Sequence, residues 1–176
     1  MREGEGVGPD HSVARVIEAG RLSADAWAPF GWIPVADTDP SDGSHRLVFE
    51  WADAHVNVIG HGRAEVPAIE GGLRCDMLYR HLTHTQVLMV LDVECVVGVA
   101  PPGTDLSTDD GVATVRAFVL QPLERLVLHQ GTWHWGPFPT HADEVRLFNV
   151  QGLRYAEDNE MADLAALGRS IDVRFP

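Results

Sequence analysis

The chain has 176 residues, the length of one domain with its own core, and its 45% hydrophobic and 22% charged content is ordinary for a globular protein. A formal net charge of -13 repels phosphate-rich surfaces, which excludes nucleic acid and anionic membranes as partners but leaves room for a small anion in a local pocket. The N-terminus has acids and glycines where a secretory signal has a basic patch and an apolar run, and Asp92 and Glu94 interrupt the longest apolar stretch, Val87 to Ala100. The expectation is a soluble cytoplasmic protein acting on a small molecule.

In chain order, residues 1–12 are glycine-rich and acidic and read as a flexible tail, with one domain over residues 13–176. Val13 to Ala19 is a short piece, and Ser23 is placed to cap a short helix through Trp27. Ala36 to Ser44 is a loop by composition. Strand signals follow at Arg46–Trp51, His55–Ile59, Leu73–Leu82, Gln86–Leu91, Val93–Ala100, Thr114–Leu120, Arg125–His129 and Glu144–Asn149. Pro101-Pro102-Gly103 is a turn and Asp105–Gly111 a solvated polar loop. Helical spacing of Met161, Leu164, Ala165 and Leu167 predicts a helix over Asn159–Gly168. Many short strands with few short helices imply an all-β fold, an antiparallel sandwich or jelly-roll barrel whose mouth gathers inward-facing polar residues. Cys75 and Cys95 lie in apolar strand contexts and read as reduced core thiols. Trp27, Trp32 and Trp51 read as core.

Chemistry concentrates in two stretches. The first is Tyr79-Arg80-His81-Leu82-Thr83-His84-Thr85-Gln86, leading into the most apolar strand. Alternation puts Tyr79 and His81 on one face and Arg80 on the other. The second is His129-Gln130-Gly131-Thr132-Trp133-His134-Trp135, two histidines around a glycine turn. Alternation there sends Trp133 and Trp135 to the face opposite His134. A jelly roll brings both stretches together. Imidazoles beside an amide suit either metal ligation, at His81, Gln86 and His134, or acid–base work near neutral pH. His81, Gln86 and His134 are the set chosen, with His129 left open between site and surface. His84 reads as a satisfied histidine outside the site. His11, His45, His55, His61 and His141 read as solvated. No glycine-rich phosphate loop, nucleophile elbow or CxxC is present, which removes the common nucleotide, serine-hydrolase and thioredoxin readings.

At these residues the chain resembles the ureidoglycolate lyase family, from roughly Val16 to Leu164. That family reads Glu-Arg-His, a few residues, then Thr-Gln; here Arg80-His81 and Thr85-Gln86 stand at those places. Val99-Ala100-Pro101 and Val115-Arg116-Ala117-Phe118 match a later stretch, and His129, Trp133 and His134 match a His-x-x-x-Trp-His signature with one extra residue. Gly131-Thr-Trp-His134 also fits the second general cupin motif.

The resemblance implies a cupin-type antiparallel jelly-roll barrel with a few short peripheral helices, and cleavage of ureidoglycolate to glyoxylate and urea. It implies catalytic roles for His81, His129 and His134. Substrate contacts fall to Tyr79, Arg80, Gln86, Arg116 and Trp133, a divalent metal is an expected cofactor, and a homodimer is the expected assembly. The chain departs from the family pattern at Tyr79, where an acid is usual, at Trp135, and at Gln151-Gly152-Leu153, where Asp-Arg-Gly is usual. These departures leave a diverged tailoring cupin (isomerase, cyclase or oxygenase), or a small-molecule binder, as the alternatives.

Overall fold

The computed structural model describes residues 13–35 and 44–176. The expected tail, His11 and most of the expected loop at 36–44 lie outside the described residues. Strands run in the order β1 (Val13–Glu18), β2 (Gly20–Arg21), β3 (Gly31–Trp32), β4 (Ala54–Gly62), β5 (Ala68–Ile69), β6 (Gly72–Cys75), β7 (Met77–Arg80) and β8 (Gln86–Val90). They continue with β9 (Cys95–Ala100), β10 (Arg116–Leu120), β11 (Arg125–Leu128), β12 (Trp133–Pro139), β13 (Glu144–Gly152), β14 (Glu160–Asp163) and β15 (Arg169–Arg174). Two short helices, α1 (Ala24–Trp27) and α2 (Asp109–Ala113), lie between them.

Three sheets result: β1-β15-β6-β5, β14-β7-β12-β9-β10-β2 and β3-β11-β8-β13-β4. This is the all-β, cupin-type arrangement. Most neighbours are antiparallel, but β1 lies parallel to β15 and β2 parallel to β10. Two apolar cores separate the layers. Leu88, Val97, Val99, Leu126, Leu147 and their neighbours fill the space between the five- and six-stranded sheets. Leu73, Leu78, Val96, Trp133, Ile171 and Val173 belong to the core between the six- and four-stranded sheets. Burying one such large side chain stabilises the fold by about 1.5–3 kcal/mol. Strand β9 sits between both cores, which is why every residue from Cys95 to Ala100 is buried. Its odd positions face one core and its even positions the other, so it reads as an uninterrupted apolar run.

The Ser23 cap forms as expected, its hydroxyl accepting from the Ala26 amide at 3.3 Å. Both cysteines are free and buried, and burial pushes both thiols up. Among the described residues no helix is long and apolar enough to cross a membrane.

Four expectations are corrected. Asn159–Gly168 is not helical: Glu160–Asp163 forms β14 against β7. Only Leu164 of its apolar set is fully buried, while Met161 and Leu167 are exposed, so there is no helical face to bury. Arg46–Trp51 supplies one isolated bridge, Phe49 to His84, rather than a strand. Trp51 in that stretch is exposed, under the Arg154 guanidinium at 4.8 Å, and is not core. The polar loop before Gly111 runs into α2, because Thr108 caps it through the Gly111 amide at 3.0 Å.

Candidate active site

Four strands of the barrel interior converge on one cavity. Tyr79 on β7 lies directly across from His134 on β12, and alternation turns both away from the core that holds Leu78 and Trp133. Strand β8 contributes Gln86 and Leu88, and β4 contributes Ile59 and His61. Glu65, Asp76, Met77, Trp135 and Phe138 complete a cavity of about 450 Å³. Behind His134 stand two more imidazoles. The His81 ring centre is 5.3 Å from that of His134 and 4.6 Å from that of His84. The Gln130-Gly131 turn brings them together, the Gly131 amide donating to the His81 carbonyl at 2.7 Å.

Each imidazole faces an acceptor on its Nδ1. His134 meets the Thr132 carbonyl at 3.3 Å, His81 the Asp158 carbonyl at 3.1 Å, and His84 the Asp158 carboxylate at 3.2 Å. A carbonyl or carboxylate oxygen can only accept, so each Nδ1 carries the proton and each Nε2 keeps its lone pair. All three rings stay neutral at pH 7. Burial, then the neighbouring His81, pushes His134 down to about 3. Burial and His81 push His84 down to about 4 against the pull of Asp158. Burial lowers His81 too. The His84–Asp158 contact is therefore a hydrogen bond from a neutral ring.

Gln86 donates to Asn149 at 2.9 Å and to Gln151 at 3.4 Å, and Asn149 donates on to Asn57 at 2.8 Å. Buried polar atoms are normally paired. Of the five described buried atoms without a partner, three lie here: Gln86 Oε1, His84 Nε2 and Trp135 Nε1.

The structure thus brings together Tyr79, His81, Gln86 and His134. It does not bring the other expected residues to them. Arg80 takes the opposite face of its strand, where its guanidinium lies 4.3 Å from the Trp133 ring and pairs with Glu160. Trp133 accordingly packs in the outer core, its Nε1 donating to the Thr104 carbonyl at 2.9 Å. Arg116 is exposed and donates to the Ala113 and Val115 carbonyls. His129 is exposed on the outer surface beside Trp32, with ring centres 5.4 Å apart.

Three site residues escaped the sequence reading. His84 is buried within the imidazole group, His61 lines the cavity, and Asp158 comes from a segment read as the approach to a helix. The Asp-Asn pair ahead of β14 carries no sequence signal for a contact 75 or more residues away.

The fold and its partly open, imidazole-lined cavity define a cupin-type barrel. The family model described as ureidoglycolate lyase matches residues 14–167, and the chain belongs to that family of lyases. No curated protein matches the chain.

Proposed function

We propose that the cavity holds ureidoglycolate and that the chain's own residues move the two protons its cleavage requires. The observation that carries this reading is the convergence of Tyr79, Gln86 and His134 on one cavity. Ureidoglycolate is a carbinolamide. Its hydroxyl loses a proton, the carbonyl forms as the carbon–nitrogen bond breaks, and the departing nitrogen takes a proton to become urea. His134 Nε2 is the base. A substrate carboxylate beside it draws its low pKa upward, because an opposite charge favours the protonated ring. The Tyr79 hydroxyl, held only by the weak acceptor Met77 Sδ at 2.9 Å, gives the second proton. Transfer from His134 back to Tyr79 restores both groups.

Among the described residues no arginine lines the cavity, so the carboxylate is received by neutral donors. The unpaired Trp135 indole N–H is the first of these. Glu65 and Asp76, on the same wall, are acceptors for ureido N–H groups. A divalent ion also fits the donor set. His81 and His134 would each offer Nε2 and Gln86 its partnerless Oε1, a nitrogen–oxygen set that suits a borderline ion. When bound, such an ion would polarise the substrate hydroxyl. Glyoxylate release from ureidoglycolate by the purified chain, with and without added divalent metal, tests the reading; no release above the uncatalysed rate under either condition rejects it.

A homodimer through the outer face of the five-stranded sheet accompanies this proposal. Register puts Val56, Val150 and Val87 in one row and Val58, Phe148 and Met89 in the next. Val56 and Val58 are 57% and 59% exposed. At the margins of that face Arg125 lies across from Met89, and Arg146 is paired with Asp92 beside Glu144, so the valine rows carry the contact. Light scattering of Val58→Glu against the parent checks it: halving of the mass is expected, and a parent of monomer mass would reject it.

A further inference from the structure

We infer that Asp158 is a positioning residue of this site, fixing through one side chain and its own carbonyl the tautomers of both His81 and His84. The inference rests on the functional reading above but makes a separate claim.

The segment between β7 and β8, residues 81–85, has only the isolated Phe49–His84 bridge as ladder pairing, which leaves most of its donors to be met from elsewhere. Asp158 meets them from the far end of the chain. Its Oδ1 accepts from the Leu82 amide at 3.0 Å. Its Oδ2 accepts from the Thr83 amide at 2.8 Å, the Thr83 hydroxyl at 2.7 Å and His84 Nδ1 at 3.2 Å. Its backbone carbonyl faces His81 Nδ1 at 3.1 Å. One residue thus brings an acceptor to every position from His81 to His84.

A carboxylate so occupied is a poor ligand in its own right. The side chains of His81, His84 and Asp158 lie close enough together to suggest a metal group. Yet Oδ2 already accepts three bonds and both imidazoles turn Nδ1 toward this residue. The group is better read as a scaffold that leaves each Nε2 free.

The seat for His84 is cut to fit. A β-carbon on Gly152 would come within 2.8 Å of His84 Nδ1, so the imidazole occupies space that any other residue at 152 would take. His84 Nε2 remains a buried acceptor with no partner, which costs stability unless a guest or proton uses it. Stacking then passes the arrangement on: His84 sets the position of His81, and His81 lies against His134.

The test uses the full chain with ¹⁵N-labelled histidine. Long-range nitrogen–proton spectra of the parent should show His81 and His84 both protonated on Nδ1. Asp158→Asn removes the negative charge and one of the two oxygens, and with its amide nitrogen at the Oδ2 position it meets His84 with a donor in place of an acceptor. His84 should switch to the Nε2–H form, while His81, held by a backbone carbonyl, should not. The kcat for glyoxylate release should fall roughly 10- to 100-fold, the usual range for outer-shell partners, with KM within about twofold. Thr83→Val, which removes one bond and keeps the charge, should lower Tm without switching the tautomer. His84→Gln separates the two roles: kcat falls by a similar factor if Asp158 acts through this ring, and stays at the parent value if Asp158 only braces the turn. A parent His84 protonated on Nε2, a switched His84 with unchanged kcat in Asp158→Asn, or unchanged kcat in His84→Gln would each overturn the inference. Absence of glyoxylate release by the parent would instead reject the functional reading, and the spectra would still decide this one.

Discussion

Two of the ring groups that contain histidine share almost nothing else. In the interior, His134, His81 and His84 lie against one another, each Nδ1 facing a protein oxygen. On the outside, Trp32 lies between His45 and His129 at 5.8 and 5.4 Å, beside an open surface hollow lined by Arg46, Leu47 and Gln130. The residue types are alike and the sequence places His129 only five positions before His134. What differs is strand parity and anchoring. His129 follows the last residue of β11, its backbone amide tied to Phe30, and its ring emerges on the solvent side. His134 sits within β12, paired to Tyr79 and Val99, and its ring enters the barrel. The contrast shows that a histidine becomes a candidate for chemistry when a fixed acceptor holds one nitrogen and an enclosed space receives the other.

The sharpest way to break this contrast is to remove one ring from each group. His134→Ala should lower kcat/KM for glyoxylate release by about 10²–10⁴, the range for loss of a positioned base. His129→Ala should leave it within about twofold, and equal losses in the two variants would erase the distinction.

Trp135→Phe comes next. It keeps an aromatic ring, though a smaller one, and deletes an N–H that has no partner among the described residues. Loss of a hydrogen bond to a charged carboxylate, about 1.5–3 kcal/mol, should raise KM roughly 10- to 100-fold with kcat little changed. An unchanged KM would remove Trp135 from substrate binding.

A third measurement uses pH. His134 and His84 are held near 3 and 4 when folded, whereas an unfolded histidine titrates at 6.5. Above 6.5 neither state takes up a proton. As pH falls below 6.5 the unfolded chain binds protons that the folded chain refuses, so stability declines, by about 1.4 kcal/mol per pH unit for each such ring, until the folded values are reached. Denaturant midpoints should therefore drop between pH 7 and pH 5, and His134→Phe should flatten that slope while His129→Phe should do so much less. Parallel slopes in the parent and His134→Phe would contradict the neutral burial.

The smallest effect belongs to Arg80→Met. The guanidinium stacks on Trp133 and pairs with half-exposed Glu160, away from the cavity. About 1 kcal/mol or less of stability should be lost in thermal melts, with KM unmoved. A raised KM would return Arg80 to the site.

Much of this site could be read from residue order. Alternation along β7 and β12 separates Tyr79 and His134 from Arg80 and Trp133 before any coordinates are known. The apolar run from Cys95 to Ala100 announces a strand buried on both faces. What could not be read is the stretch where alternation stops. Residues 81–85 lie between strands, so no parity rule assigns His84 a side, and its partner Asp158 is 74 positions away in a segment whose apolar spacing imitates a helix. The departure at Gly152 was visible, but its physical meaning was not. Only the fold shows that the missing β-carbon is the room His84 occupies.

Gly98 carries a related consequence for the cavity itself. It lies on the doubly enclosed strand β9, and a methyl group there would sit 3.3 Å from the Trp135 ring. Because Trp135 forms part of the cavity's lining, bulk added at 98 would press on that lining from behind. The dimensions of the binding space are thus set partly from its blind side, and a change in which molecules it admits could arise at a position no ligand would ever meet.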